Sequence, residues 1–387
     1  MFFNEKSLLK KRPGLVALKC EKGAGCIVKL MVSALDHSAN IHLKQVKENL
    51  GDKVELTGVF DKSLGIPYVD VSTFAVMGFT DAVKKLPFFL RLNRKMTEWA
   101  ADADKVMLID SSGFNLPLAK KIRKRHPDKT IIYYILPQAW AWKKNRIAVL
   151  EHTIDFLASI LPFESDCYSE TAPIEYVGHP LLDEISGYKS GVGNTGKIAF
   201  LPGSRSGEIK LLLPIFKQLR AKIDCEAYLV VPGHFDTEKR KKIYGDLSGF
   251  TIANQAHETL LECDFAFICS GTATLEAALI GIPFVLCYIA KSIDYMIAKK
   301  IVKLEYVGFA NILFDKFNGE PLHPELIQKD VTLETLLHEL SIMDKEAFYE
   351  KSRKLRGYLK HGSAASVARI IETGAADSIL KDRKYTS

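Results

Sequence analysis

The chain has 387 residues, 47% hydrophobic and 26% charged, with a formal net charge of +7. This length exceeds one ordinary core and predicts two domains of roughly 150–200 residues each, while the composition excludes a disordered chain. The mild basic excess suits an anionic substrate or an anionic membrane surface, and no DNA- or RNA-recognition motif accompanies it, so no nucleic-acid partner is expected. Seven cysteines (Cys20, Cys26, Cys167, Cys225, Cys263, Cys269 and Cys287) contain no C-x-x-C pair. They read as reduced, mostly buried thiols of a cytosolic protein, with no disulfide framework and no metal site expected. No apolar run reaches the roughly 18–20 residues of a membrane span.

Residues 1–27 lack periodicity, and the apolar stretch Leu15–Leu18 after Lys10, Lys11 and Arg12 is too short for a signal-peptide core. They read as an N-terminal extension, with translation from Val28 as the attached hypothesis. From Cys26 onward strand-like runs alternate with helical stretches. In the first half the runs are Cys26–Leu35, Val54–Phe60, Lys105–Asp110, Thr130–Leu136, Phe156–Ile160 and Ile174–Val177. In the second they are Ile198–Pro202, Ala227–Val231, Phe250–Ala253, Phe265–Cys269 and Pro283–Tyr288, with helices such as Asn115–His126 and Leu211–Ile223 between. Alternation of this kind predicts an α/β protein with two Rossmann-like parallel-sheet domains and a cleft between them, ligands binding at the carboxyl ends of the strands. The predicted division is 28–186, a Gly-rich linker at 187–196, a second domain at 197–345, and C-terminal helices with a frayed tail at 346–387. A G-x-G-x-x-G match at Gly191, Gly193 and Gly196 precedes a strand instead of following one, so it reads as linker and not as a dinucleotide site.

Two stretches of the second domain carry nucleotide chemistry. Ile198–Arg205 (IAFLPGSR) is a strand running into a helix opened by Ser206, Gly207 and Glu208. A helix N-terminus offers free N–H groups to an anion, and Ser204 and Arg205 add a hydroxyl and a fixed cation suited to phosphate oxygens. Phe265–Ile268 is a second strand, followed by CSGTATLE at 269–276. The small residues Ser270, Gly271, Thr272 and Ala273 let a phosphate approach the backbone. Thr272 and Thr274 can donate hydroxyls, and Glu276 can accept from ribose hydroxyls. Ordinary capping with a solvated Arg205, and a Glu276 that merely complements the helix dipole, stay open as alternatives.

LPGSR followed by SGTATLEAAL resembles lipid-A-disaccharide synthase, a family of two-domain GT-B glycosyltransferases. PQAWAWKKNRI (137–147), ILPFE (160–164), VGHPLLD (177–183), ANIL (310–313) and HPELIQ (323–328) agree with it, so the resemblance runs from about Met31 to Gln328. It implies an inverting hexosyltransferase of lipid A biosynthesis for the Gram-negative outer membrane. The implied donor is UDP-2,3-diacylglucosamine, the acceptor 2,3-diacylglucosamine 1-phosphate, and the product a β-1,6-linked disaccharide 1-phosphate plus UDP. It implies no cofactor and no metal. It places UDP on Ser204, Arg205, Ser270, Gly271, Thr272, Ala273, Thr274, Glu276 and Asn311, and puts the protein on the cytoplasmic face of the inner membrane. Oligomeric state stays unknown.

The first domain departs from the family pattern at two loops. G-E-x-S-G-D is replaced by Leu35-Asp36-His37-Ser38-Ala39-Asn40; Asp36 and Ser38 keep useful chemistry, but a turn needing positive φ would resist Ala39. I-D-x-P-D-F-N is replaced by Ile109-Asp110-Ser111-Ser112-Gly113-Phe114-Asn115, so the second carboxylate is lost at Gly113. An inverting transfer needs a base for the acceptor hydroxyl. Asp110 is the leading candidate, with Asp36 and His179 in reserve; helix capping by Asp110, Asp36 or Ser38 and a packed structural His179 are the bland alternatives. Val76–Trp99 interleaves Lys84, Lys85, Arg91, Arg94 and Lys95 with Leu86, Phe88, Phe89, Leu90 and Leu92. This reads as an interfacial helix for anionic lipid or an acyl-chain groove, against an ordinary amphipathic surface helix. Trp140 and Trp142 fit either the cleft or the core. A UDP-N-acetylglucosamine 2-epimerase-like enzyme and a non-catalytic UDP-lipid-binding protein remain as alternative functions.

Overall fold

The structure is a computed structural model and describes residues 27–72, 86–141, 143–231, 237–269, 271–289 and 305–374. Lys84, Lys85, Trp142, Ser270, Cys20 and Cys26 lie outside the described residues, as do the extension up to residue 26 and the tail after 374.

The first half contains β1 (Val28–Ser33), α1 (His37–Asn49), β2 (Val54–Phe60), β3 (Val69–Asp70), α2 (Leu86–Trp99), β4 (Lys105–Ile109), α3 (Ser112–Arg125), β5 (Thr130–Tyr134), α4 (Asn145–Thr153), β6 (Phe156–Ser159), β7 (Ile174–Tyr176) and α5 (Pro180–Glu184). The second half continues with β8 (Lys197–Leu201), α6 (Ser206–Arg220), β9 (Glu226–Val230), α7 (Thr237–Tyr244), β10 (Thr251–Ala253), α8 (Ala256–Glu262), β11 (Phe265–Cys269), α9 (Thr272–Ile280), β12 (Phe284–Tyr288), α10 (Phe309–Asn318), β13 (Glu325–Ile327), α11 (Leu333–Ile342), α12 (Lys345–Tyr358) and α13 (Ser363–Thr373).

The strands form two sheets, ordered β3-β2-β1-β4-β5-β6-β7 and β10-β9-β8-β11-β12-β13. Every pairing is parallel. The sequence dictates this: β5 (TIIYY) and β11 (FAFIC) are buried along their whole length. Continuous apolar runs suit strands covered by helices on both faces, as parallel sheets require. Each sheet has one topological switch point, between β1 and β4 in the first and between β8 and β11 in the second. There the chain's progress across the sheet reverses, leaving a crevice beyond the carboxyl ends of the strands.

Two features tie the halves together. After α12 the chain returns to the first sheet: Ala364, Val367, Ala368, Ile370 and Ile371 of α13 bury among Leu30, Val32, Met107, Ile132 and Tyr134. The Tyr134 hydroxyl meets Ser363 Oγ at 2.7 Å. In the other direction, Trp140 and Phe163 from the first half pack onto the core of the second, edge to face at 5.2 Å between ring centres. Trp140 thus belongs to the seam between the halves, half-buried, and not wholly to cleft or core. Among the described residues no helix is long and apolar enough to cross a membrane.

Candidate active site

The first crevice is built from the β1–α1 loop and the β4–α3 turn. Asp36 is extended (φ −135°, ψ 173°) and caps α1, its Oδ1 accepting from the Ala39 N–H at 2.8 Å. Its Oδ2 accepts from Ser111 Oγ at 2.9 Å. Both carboxylate oxygens are therefore committed to holding the two loops together. Ala39 does not sit in a positive-φ turn: it lies inside the first turn of α1, buried at 1% exposure. The expected conflict over Ala39 is corrected, because Ala39 has helical backbone and needs no positive φ. Asn40 anchors the same loop. Its Nδ2 donates to the carbonyls of Ala34 and Asp36 at 3.0 and 2.7 Å, and its Oδ1 accepts from Asp61 N–H at 2.7 Å.

The strain sits instead at the end of β4. Asp110 and Ser111 are consecutive left-handed residues, with φ of 45° and 41°. Non-glycine residues avoid this region unless their surroundings enforce it. Four hydrogen bonds enforce it here. Asn115 Nδ2 donates to the carbonyls of Ile109 and Asp110 at 3.0 and 2.9 Å. The Tyr133 hydroxyl donates to the Asp110 carbonyl at 2.6 Å. Ser33 Oγ donates to Asn115 Oδ1 at 2.7 Å, joining the end of β1 to the start of α3. The product of this bracing is a carboxylate projected into the crevice. Asp110 is solvent-accessible, yet protein crowds it. Burial, then the nearby charge of Asp36, raises its pKa above the ordinary aspartate value, while the Ser111 N–H and His42 pull the other way. A carboxylate that is exposed but reluctant to ionise has the character of a proton acceptor. Gly113 is exposed in the first turn of α3, and a Cβ there would meet nothing within 4 Å. Arg146 reaches the same turn, with Nη1 donating to Ser112 Oγ at 3.0 Å.

The reserve candidate His179 is differently employed. Its Nδ1 accepts from Leu181 N–H at 3.3 Å and caps α5, and burial lowers its pKa to about 3, which keeps the ring neutral. With Nδ1 accepting, the ring proton resides on Nε2, which leaves no lone pair to act as a base.

The second crevice lies over β8 and β11. Gly203, at φ 101°, turns the chain between β8 and α6. A Cβ there would come within 2.7 Å of Glu208 Oε2 and 3.2 Å of Cys269 Sγ. Ser204 and Arg205 are exposed at the start of α6, and Arg205 Nη1 pairs with Glu208 Oε1 at 2.8 Å. Across the switch point Gly271 takes φ 146° before α9, a conformation that L side chains rarely adopt. No side chain caps that helix and no acid stands in its first turn. The Thr274 N–H donates to the Gly271 carbonyl at 3.2 Å, and the N–H groups of exposed Thr272 and half-buried Ala273 are the ones placed to meet an anion.

Two expected ligand residues are placed otherwise. Thr274 is wholly buried and its hydroxyl donates to the Gly271 carbonyl at 2.8 Å, so it shapes the loop. Asn311 is also wholly buried. Its Nδ2 donates to the His323 carbonyl and to Glu325 Oε1 at 2.9 and 2.8 Å, and its Oδ1 accepts from the N–H groups of Leu322 and His323 at 2.8 and 3.0 Å. An amide has two donors and two acceptor lone pairs, and all four are spent. Asn311 therefore fixes Glu325, which accepts from the N–H groups of Val307 and Gly308, and it has no hydrogen-bonding capacity left for UDP.

Glu276 was expected on the donor side and lies there, half-buried, with one oxygen 3.2 Å from His257 Nδ1. His257 Nε2 meets Ser186 Oγ at 2.9 Å. The segment from α5 to Ser186 thus leads from the first crevice to the second, with Glu184 close enough to Glu276 to help raise its pKa. His257 carries no sequence signal of its own; only the fold brings it to Glu276.

On the outer face, α2 buries Leu92, Asn93, Met96 and Thr97. Phe88 and Phe89 are half-buried, and Phe89 meets Phe114 of α3 at 6.0 Å between ring centres. Leu86 and Leu90 are each 56% exposed, beside exposed Arg91, Arg94 and Lys95.

Two Rossmann-like halves, with a loop cluster at each switch point and a terminal helix crossing back, define the GT-B architecture. Solved structures agree on the fold alone: MurG of Acinetobacter baumannii has a TM-score of 0.53 at 14% identity, covering 89% of this chain and 99% of that one. A UDP-GlcNAc 2-epimerase from Neisseria meningitidis scores 0.53 at 7% identity, covering 89% and 98%. A family profile of lipid-A-disaccharide synthetases matches residues 30–369. The lipid-A-disaccharide synthase of Helicobacter pylori is 46% identical over 88% of this chain and 96% of its own. That of Campylobacter jejuni is 43% identical over 88% and 98%. The chain belongs to the lipid-A-disaccharide synthase family, and it is a glycosyltransferase. The epimerase-like and non-catalytic alternatives are not favoured.

Proposed function

We propose that the chain transfers 2,3-diacylglucosamine from UDP-2,3-diacylglucosamine to 2,3-diacylglucosamine 1-phosphate, yielding the β-1,6-linked lipid A disaccharide 1-phosphate and UDP. The observation that carries this reading is the presence of a loop cluster at each switch point: an uncapped helix end and Arg205 in the second half, and the braced Asp110 turn in the first. An inverting displacement needs its leaving group and its nucleophile on opposite faces of the sugar. The N-termini of α6 and α9 and Arg205 receive the charge developing on the diphosphate. Asp110 takes the proton from the acceptor hydroxyl as oxygen attacks the anomeric carbon. Asp36 and Ser111 hold that turn.

The test is UDP release by the purified protein with donor alone and with donor plus acceptor. Release that depends on the acceptor is expected. Release from donor alone points to an epimerase-like reaction, and tight UDP binding with no release points to a binding protein; either overturns the proposal.

Membrane docking through α2 belongs to the same reading. The exposed Leu86 and Leu90, flanked by Arg91, Arg94 and Lys95, fit a helix that dips its apolar edge into an anionic leaflet. On this reading the enzyme works peripherally on the cytoplasmic face of the inner membrane. The double variant L86D/L90D is expected to weaken sedimentation with phosphatidylglycerol vesicles by about tenfold or more. Unchanged sedimentation moves the docking surface elsewhere.

A further inference from the structure

A hydroxyl, an imidazole and a carboxylate line up on the acceptor side of the cleft, and the transfer as proposed above does not use them as a unit. Ser38 Oγ lies 3.3 Å from His42 Nε2, one helical turn along α1. His42 Nδ1 lies 2.9 Å from Glu184 Oε1 at the end of α5. The two atoms are within ion-pair distance but are not aligned as a hydrogen bond. The two side chains are 14% and 24% exposed, while Ser38 is open to the crevice. A carboxylate beside Nδ1 keeps the proton there and turns the Nε2 lone pair toward the hydroxyl.

The surroundings explain why such an array has a task. Asp36 has spent both oxygens on Ala39 and Ser111. Gly113 supplies no carboxylate. Asp110 resists ionisation because of burial and Asp36, with the Ser111 N–H pulling the other way. His42 is faced by Ser38 from α1, Asp110 from the β4–α3 turn, and Tyr134 of β5 edge-on at 6.3 Å. From α5 and the residue before it come Glu184 and neutral His179, with Asp183 near Tyr134. Beyond them lies Glu276 of α9, whose pKa Glu184 helps to raise.

We propose that Ser38, His42 and Glu184 form a second proton-acceptor array for the transfer, with His42 taking the acceptor's proton through the Ser38 hydroxyl. The acceptor oxygen forms its bond to the anomeric carbon as the bond from that carbon to the diphosphate oxygen breaks, the electron pair leaving on UDP. The acceptor proton passes to Ser38 Oγ as Ser38's own proton moves to His42 Nε2, and the Glu184 carboxylate balances the imidazolium. This rests on the acceptor lying in the first crevice. The acceptor hydroxyl gives up one proton, so the array is an alternative to Asp110 for that proton, and its protonated form is neutralised within the protein.

The experiment measures acceptor-dependent UDP release for the wild type and for Ser38→Ala, His42→Gln, Glu184→Gln and Asp110→Asn. It follows kcat across pH and in mixtures of light and heavy water, with UDP binding by calorimetry as the control for folding. His42→Gln is expected to lose about 10- to 100-fold in kcat with a smaller change in KM. A relay moving two protons in one step gives a bowed dependence of rate on deuterium fraction, and Ser38→Ala should make it linear. That readout is indifferent to a purely structural role. It also carries the test if His42→Gln fails to fold, since Ser38 is exposed. An unchanged kcat and pH profile in His42→Gln, or a linear deuterium dependence in the wild type, overturns the array. Loss in Asp110→Asn with no loss in His42→Gln leaves Asp110 as base and removes the array. Loss in His42→Gln with none in Asp110→Asn keeps the array and removes Asp110 as base.

Discussion

Asp110→Asn is expected to lower acceptor-dependent UDP release by on the order of 10²-fold or more, with UDP affinity unchanged. The substitution keeps shape and removes the anion. The bracing contacts on this residue act on its carbonyl, from Tyr133 and Asn115, and survive the change. The loss therefore reports the carboxylate and not the turn. The pH dependence has a defined sign. A general base works ionised, and the pKa of Asp110 is raised, so wild-type rate should climb with pH through a value above that of an ordinary aspartate. That limb should disappear from whatever rate the variant keeps. Stability should move the other way. A carboxyl whose pKa is raised by folding contributes stability below its unfolded pKa and loses it as pH rises through the folded value. At neutral pH the ionised Asp110 therefore weakens the fold. Asp110→Asn is expected to raise Tm at neutral pH, with little effect near pH 3. A variant that is both inactive and less stable would mean that the carboxylate is structural.

The order of the strands was legible where burial repeats a pattern. The apolar runs from Val54–Phe60 to Pro283–Tyr288 each found a strand, because parallel strands covered on both faces need continuous apolar sequence. β3 and β13 were not seen: at two and three residues each is too short to carry a period. The two strand-to-helix turns proposed for the donor were readable as turns because a helix N-terminus after a strand leaves a local mark in small residues. What local sequence does not encode is which polar groups are already spent. Thr274 and Asn311 have suitable chemistry in suitable blocks, yet their hydrogen bonds go to the backbone or to Glu325. The reverse holds for His42 and Glu184. They stand 142 positions apart in sequence and meet only because α5 returns to α1. The strain at Asp110 and Ser111 was also invisible, since neither residue type advertises a left-handed backbone as glycine does.

That strain makes Asn115 the residue whose loss should cost most away from the reacting atoms. Asn115→Ala is expected to destabilise the protein by about 2–4 kcal/mol and to lower kcat by tenfold or more. The amide is wholly buried and joins three partners: the Ile109 and Asp110 carbonyls and the Ser33 hydroxyl. Alanine leaves them without that partner in a space that it does not fill. Two left-handed non-glycine residues cost about 1–3 kcal/mol each and persist only while their surroundings insist. With the clamp gone, the inexpensive response is for Asp110 and Ser111 to relax toward ordinary dihedrals, which swings the carboxylate out of the crevice and breaks the Ser111–Asp36 link. Asn115→Asp sharpens the argument. It fills the space and can still accept from Ser33, but it sets a carboxylate against two carbonyl oxygens, so it should be at least as damaging as alanine. Urea unfolding and UDP release, measured well below the midpoint of each variant, separate the two effects. A stability loss with kcat intact would show that Tyr133 alone suffices to hold the turn. A fall in kcat in the folded protein would show that the catalytic geometry is held by a buried amide that touches neither sugar.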